Sequence, residues 1–228
     1  MGSSKIIVAL DGKNLIQVKK IVNELKFDVY AFKIGYEFFF NYGINGYKEI
    51  KKICPNIFLD LKLHDIPNTV QKGIKAISNL KPLITTIHIS GGNEMMKASK
   101  IINKKTKVIG VSILTSLNSK QTKMYYNDNK IESIVKKFVK QAQKSGLDGV
   151  VCSPKEIKLV RRIVNKNFII VTPGIRINKL NTKIDDQKRV LSPKEAVQLG
   201  ADYLVIGRPI MQSKNPLKTV KEINESLI

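Results

Sequence analysis

The chain has 228 residues and 43% hydrophobic content, ample for one sizeable core and of a length that α/β barrels occupy as a single domain. No apolar run approaches the roughly 18 residues of a membrane-spanning helix, and a strand-like run follows Met1 so closely that no signal peptide is expected. The formal net charge of +22 raises nucleic-acid binding, but Arg161, Arg162, Arg176, Arg189 and Arg208 are the only arginines, and the lysines are scattered over every predicted helix. No zinc-finger, RNA-recognition or glycine-clamp motif accompanies them. A positive field that attracts a phosphorylated small molecule is the simpler reading.

Met1 to Ser4 read either as native chain or as an appended remnant, and the first strand runs Lys5–Asp11. Further strands are expected at Ala31–Gly35, Ile57–Lys62, Leu83–Ile89 and Lys107–Leu114. A helix follows in "IESIVKKFVKQAQKSG", with Ile131, Ile134, Val135, Phe138 and Val139 on one face and Gly146 as its stop. Next come a strand at Gly149–Ser153 and a helix opened by "SPKE", in which Ser153 caps and Pro154 takes the first helical position. Strands at Phe168–Gly174 and Tyr203–Arg208 flank a second "SPKE" helix at Ser192, and a last helix is capped by Asn215. The strands are continuously apolar rather than alternating, as in a parallel sheet covered on both faces. Eight strands alternating with helices predict a closed (β/α)8 TIM barrel of class α/β, one domain over residues 1–228, with an open doubly wound sheet as the alternative. Cys54 and Cys152 are far apart and have no metal-ligand spacing, so free thiols in a reducing, cytoplasmic setting are expected.

In such a barrel the chemistry lies at the C-terminal ends of the strands. Polar or charged residues stand at almost every such end: Asp11, Lys33, Asp60 with Lys62, His88, Thr115, Arg176 and Arg208. Asp60 and Lys62 are two apart on one strand and therefore share a face. A structural ion pair would be a weak stabilising device there, and Asp65 three residues on makes chemistry the better explanation. The ends of strands seven and eight, "VTPGIR" and "VIGRPI", suit an anion: Gly207 permits close backbone approach, and Arg208 offers a planar fork of donors. Between them Ile177–Leu191 is long and polar for a βα connection, as lids are. His64 and His88 lack companion carboxylates or cysteines, so neither is expected to ligate a metal or act in catalysis.

The ordered set "LDLKLHDIPNT", "HISGG", "ILTS", "GLDGVVCS", "VTPGIR", "DDQKR" and "YLVIGRP" resembles the orotidine 5′-phosphate decarboxylases of bacterial type. The resemblance runs from "VALD" to the C-terminal helix. Related sugar-phosphate barrels share the Asp-x-Lys-x-x-Asp core, whereas "IPNT", "LTS" and "DDQ" narrow the match. Ile177 departs from the proline common after "GIR", a matter of loop geometry.

The resemblance implies decarboxylation of orotidine 5′-monophosphate to uridine 5′-monophosphate without metal or cofactor, by a homodimer with shared active sites. Lys62 matches the family's proton donor. Lys33, Asp60 and Lys62 of one subunit, with Asp65 of the other, match an alternating array of charges. Asp11 and, from the other subunit, Thr69 match ribose contacts; Thr115 matches a contact to the pyrimidine edge. Arg176, Gly207 and Arg208 match the phosphate site, and Gln187 the residue joining phosphate to base. Two other functions compete: a Mg²⁺-dependent sugar-phosphate lyase or synthase, and a basic binding protein without catalysis.

Overall fold

The computed structural model describes residues 4–101, 105–175 and 191–227. Eight parallel strands close on themselves in chain order: β1 (Ile6–Ala9), β2 (Ala31–Ile34), β3 (Ile57–Leu63), β4 (Ile84–His88), β5 (Lys107–Val111), β6 (Gly149–Val151), β7 (Ile169–Thr172) and β8 (Tyr203–Ile206), with β8 paired back onto β1. This is the (β/α)8 barrel, and closure excludes the open-sheet alternative. Every expected strand is present; β3 runs one residue further than expected, to Leu63, and the others are shorter, most of them where the polar end leaves the ladder. Lys107–Leu114, for instance, stops at Val111, and Ser112 to Leu114 turn into the mouth.

Helices α1 (Leu15–Leu25), α2 (Tyr36–Ile53), α3 (Pro67–Leu80), α4 (Asn93–Lys100), α5 (Ser119–Tyr126), α6 (Ile131–Lys144), α7 (Ile157–Ile163), α8 (Pro193–Gln198), α9 (Arg208–Met211) and α10 (Pro216–Ser226) cover the outside. Their ends follow local chemistry. The Asn14, Asn118, Ser192 and Asn215 side chains accept the orphan N–H groups that open α1, α5, α8 and α10. Gly146, at φ +81°, sits just beyond α6 in the left-handed conformation that glycine tolerates at a helix end. The first "SPKE" differs from expectation: Pro154–Glu156 form a 3₁₀ turn, and α7 begins only at Ile157. Gly43, at φ +56° and ψ −153°, breaks α2 into two helical pieces.

The strand pleat sorts the core into two regions. Outward residues such as Ile6, Val8, Phe32, Ile34, Leu59 and Ile87 pack on the helices in the larger cluster. Inward, Ile7, Ala31, Phe58, Ile84, Ile109 and Val171 form a separate apolar plug in the barrel. Gly149 admits this packing, because a Cβ there would lie 2.2 Å from the Ile169 carbonyl oxygen. Two residues further along the same strands, the inward positions become Lys33, Asp60, Thr86 and Val111. The charged layer therefore rests on a dry floor.

Candidate active site

Asp60 is the centre of the charged layer and only 6% exposed. Its Oδ2 accepts a hydrogen bond from Lys62 Nζ at 2.8 Å and lies 3.5 Å from Lys33 Nζ. Its Oδ1 accepts from the Thr86 hydroxyl at 2.8 Å. Burial alone would raise this carboxyl's pKa. The charges of Lys33 and Lys62 and the hydrogen bonds from Lys62 and Thr86 outweigh burial and hold it below the usual carboxylate range. Two ammoniums facing one carboxylate leave the trio with one net positive charge, poised for an anion.

The backbone presents Lys62 in an unusual way. The β3–β4 register shifts between Leu59 and Leu63, and Lys62 takes φ +43°, a conformation that costs an L-residue about 1–2 kcal/mol. Such irregularities re-aim a side chain beside a site. The Lys62 N–H, taken out of the ladder, donates instead to Thr86 Oγ1 at 3.0 Å. One hydroxyl thus serves the backbone of Lys62 and its carboxylate partner at once.

Lys33 reaches Asp60 along space left by Gly35: a Cβ at that glycine would meet Lys33 Nζ at 2.9 Å and Asp11 Oδ1 at 3.6 Å. Asp11 is exposed at the end of β1, and the next residue's N–H is held by the Glu37 carboxylate at 3.2 Å. A cavity of about 1250 Å³ opens over the layer. Its wall includes Asp11, Lys33, Asp60, Lys62, Thr115, Gly207 and Arg208, so seven residues expected from sequence converge on one mouth. Asp65 and Thr69 are exposed and stand outside that wall; the Asp65 carboxylate accepts from the neighbouring Ile66 N–H at 2.7 Å. Arg176, Gln187 and nearly all of the expected lid lie outside the described residues, as do Met1 to Ser3.

His64 and His88 face one another, ring centroids 5.2 Å apart. Burial, then the neighbouring His64 and Lys62, push the His88 pKa down. Among the described residues no group of three or more His, Cys, Asp or Glu is placed to hold a metal ion. Cys152 is buried beside the cavity; burial and the Glu156 charge push its thiol pKa far up, which favours the neutral thiol over the thiolate. Two participants escaped the sequence reading. Thr86 was signalled only by being polar at the centre of an inward face, between Ile84 and His88. Tyr36 carried no signal, yet its ring lies 5.5 Å from Lys62 Nζ.

The family model described as "Orotidine 5'-phosphate decarboxylase / HUMPS family" matches residues 4–223. The chain belongs to that family. It is 45% identical to the orotidine 5′-phosphate decarboxylase of Wolbachia pipientis subsp. Culex pipiens, over 97% of this chain and 98% of the relative. It is 41% identical to that of Coxiella burnetii, over 98% and 96%. The crystal structure of the Lactobacillus acidophilus orotidine 5′-phosphate decarboxylase superposes with a TM-score of 0.84 at 35% identity, covering 98% of this chain and 99% of that one. Enzymes named for one decarboxylation thus match this chain from end to end, which places it among the carboxy-lyases.

Proposed function

We propose that this protein decarboxylates orotidine 5′-monophosphate to uridine 5′-monophosphate in pyrimidine nucleotide synthesis, with no metal or cofactor. The observation that carries the reading is the Lys33–Asp60–Lys62 trio: a desolvated carboxylate clamped between two ammoniums at the floor of a nucleotide-sized cavity.

The chemistry follows from that charge order. The substrate's carboxylate enters beside Asp60, and two like charges at about 4 Å repel by roughly 4 kcal/mol at an effective dielectric near 20. Breaking the bond between C6 and the carboxyl carbon releases neutral carbon dioxide and removes that repulsion. The electron pair left on C6 faces the Lys62 ammonium. Preorganised charge of this kind, in a site that excludes water, is the main source of transition-state stabilisation. Lys62 then gives its proton to C6, forming the C–H bond of the product, and the neutral amine is reprotonated from solvent. Lys33 keeps Asp60 ionised and in line throughout.

The rest of the cavity binds. Asp11 holds a ribose hydroxyl, Thr115 the pyrimidine edge, and Arg208 with the Gly207 backbone the phosphate. Arg176 joins them there, with Gln187 linking phosphate to base. Phosphate binding remote from C6 supplies energy for holding the site closed. Asp65 and Thr69 are exposed and do not line their own chain's cavity, which supports a homodimer in which each subunit lends them to the other. Exposed Tyr36 and Phe40 on α2 and Ile66 before α3 give such a contact its apolar surface. The whole chain acts as one barrel domain in the cytoplasm, in keeping with two buried free thiols and, among the described residues, no helix fit to cross a membrane.

The test is the ultraviolet absorbance change on mixing protein with orotidine monophosphate in EDTA, beside Lys62→Ala. Turnover that persists in the chelator and disappears in the variant supports the reading. A folded protein without turnover refutes it, and turnover restored only by Mg²⁺ with sugar phosphates would favour the synthase or lyase function.

A further inference from the structure

The peptide joining Leu61 to Lys62 is held from both sides. Thr86 accepts its N–H at 3.0 Å, and the Tyr36 hydroxyl donates to its carbonyl, Leu61 O, at 3.2 Å. A peptide plane pinned at both polar atoms has little freedom to rotate, and this plane sets the φ of Lys62. The same tyrosine turns its ring face toward the lysine ammonium, 5.5 Å from Nζ to centroid, within the range of a cation–π contact. Tyr36 sits directly after Gly35 at the mouth of α2 and is 47% exposed, so little of the core depends on it.

We infer that Tyr36 is a positioning residue for the proton donor: its hydroxyl locks the backbone turn that aims Lys62, and its ring favours the charged ammonium. The inference rests on the proposed decarboxylation and assigns that reaction a participant on the β2–α2 junction. Burial and the negative charge of Asp60 push the Tyr36 phenol pKa upward, so the hydroxyl stays a donor through the neutral range. Among the described residues of one chain, the groups around Lys62 are Asp60 from its own strand, Lys33 of β2 on the same carboxylate, His88 from β4 and Tyr36 from α2, and in the proposed homodimer the partner's Asp65 joins them. Among the described residues, Tyr36 is the one that turns its π face toward the ammonium.

The two contacts separate by mutation. Tyr36→Phe keeps the ring and loses the hydroxyl bond; Tyr36→Leu loses both. In full-length protein, kcat should fall about 3- to 10-fold in the first and about 10- to 50-fold in the second, with KM within twofold of wild type. The alkaline limb of the kcat–pH profile should move to lower pH in Tyr36→Leu and stay in place in Tyr36→Phe. A residue with a merely structural role would not move that limb. Light scattering and thermal melts on both variants check that mass and folding are retained. Wild-type kcat and profile in both variants, or a loss confined to KM, overturns the inference while the decarboxylase reading stands. Absence of turnover in wild type itself sinks both.

Discussion

Replacing Thr86 with valine changes almost no volume and removes one oxygen. That oxygen accepts the Lys62 N–H and donates to Asp60, so two partners lose a bond together. A polar group left unsatisfied away from water costs about 1–3 kcal/mol. The Lys62 N–H carries such a cost, while Asp60 retains both ammoniums and loses less. The sum is about 2–4 kcal/mol, which for a domain of this size lowers the melting temperature by about 5–15 °C. Thr86→Ser keeps the hydroxyl and gives up only a methyl group, so it should sit about 1 kcal/mol below wild type. Calorimetry and urea melts of the three proteins at one concentration give the comparison, and kcat on orotidine monophosphate gives a second. The valine variant should lose activity as well as stability, because the left-handed turn of Lys62 then keeps only one of its two anchors, the Tyr36 hydroxyl on Leu61 O. If Thr86→Val melts with Thr86→Ser and turns over like wild type, the double role of the hydroxyl is wrong.

The φ of Lys62 predicts an inverted rank between two truncations. Lys62→Gly should be more stable than Lys62→Ala by about 0.5–1 kcal/mol, since glycine is relieved of strain but gains unfolded-state entropy; equal urea midpoints would contradict it. Asp60's depressed pKa adds stability that is fully present above its unfolded value of about 3.9 and disappears as pH falls through the folded value. Lys33→Met reduces the depression, so that variant's urea midpoints should start to fall at the same pH as wild type, near the unfolded value, but fall by less and level off at a higher pH. Identical acid limbs would show that Lys33 contributes nothing. Gly35→Ala keeps an allowed backbone, since φ is −100°, but its methyl displaces the flexible end of Lys33. The melting temperature should stay within about 2 °C of wild type while kcat falls at least 10-fold; unchanged kcat would mean Lys33 needs no fixed place.

The barrel was legible in the sequence because its strands are buried on both faces, and eight apolar β-branched runs separated by capped helices have few other arrangements. Apart from β3, whose end was read one residue short, C-terminal strand ends were read too long: Asp11, Gly35 and Ser112 to Leu114 continue the pattern but leave the ladder to form the mouth. The Asp60–Lys62 pairing was equally legible from regular strand spacing, although in the structure a register shift and the left-handed φ of Lys62 complete the placement. What escaped depends on contacts between strands. Lys62 is neither glycine nor asparagine, so nothing local announces its positive φ; the turn is imposed by Thr86 from β4 and Tyr36 from α2. Gly43 was not singled out in the sequence, and its φ of +56° breaks α2. Asp65 read as part of one array, whereas within a single chain it stands outside the cavity, and only its place in the motif ties it to the site.

The hydrogen bonds around Thr86 run one way. A backbone N–H can only donate, so the Lys62 amide uses the hydroxyl's lone pair and commits the hydroxyl's single proton to Asp60. On the far side of Asp60 stand two ammoniums, which also only donate. Residue 60 must therefore accept along every direction in which it is approached. Asparagine has nearly the same shape, but turning its carbonyl toward Thr86 would aim its NH₂ at Lys33 and Lys62, and turning it round would aim that NH₂ at a committed hydroxyl proton. A group that is similar in size and neutral is thus a misfit in either orientation, and this layer of the barrel has room at position 60 for an anion alone.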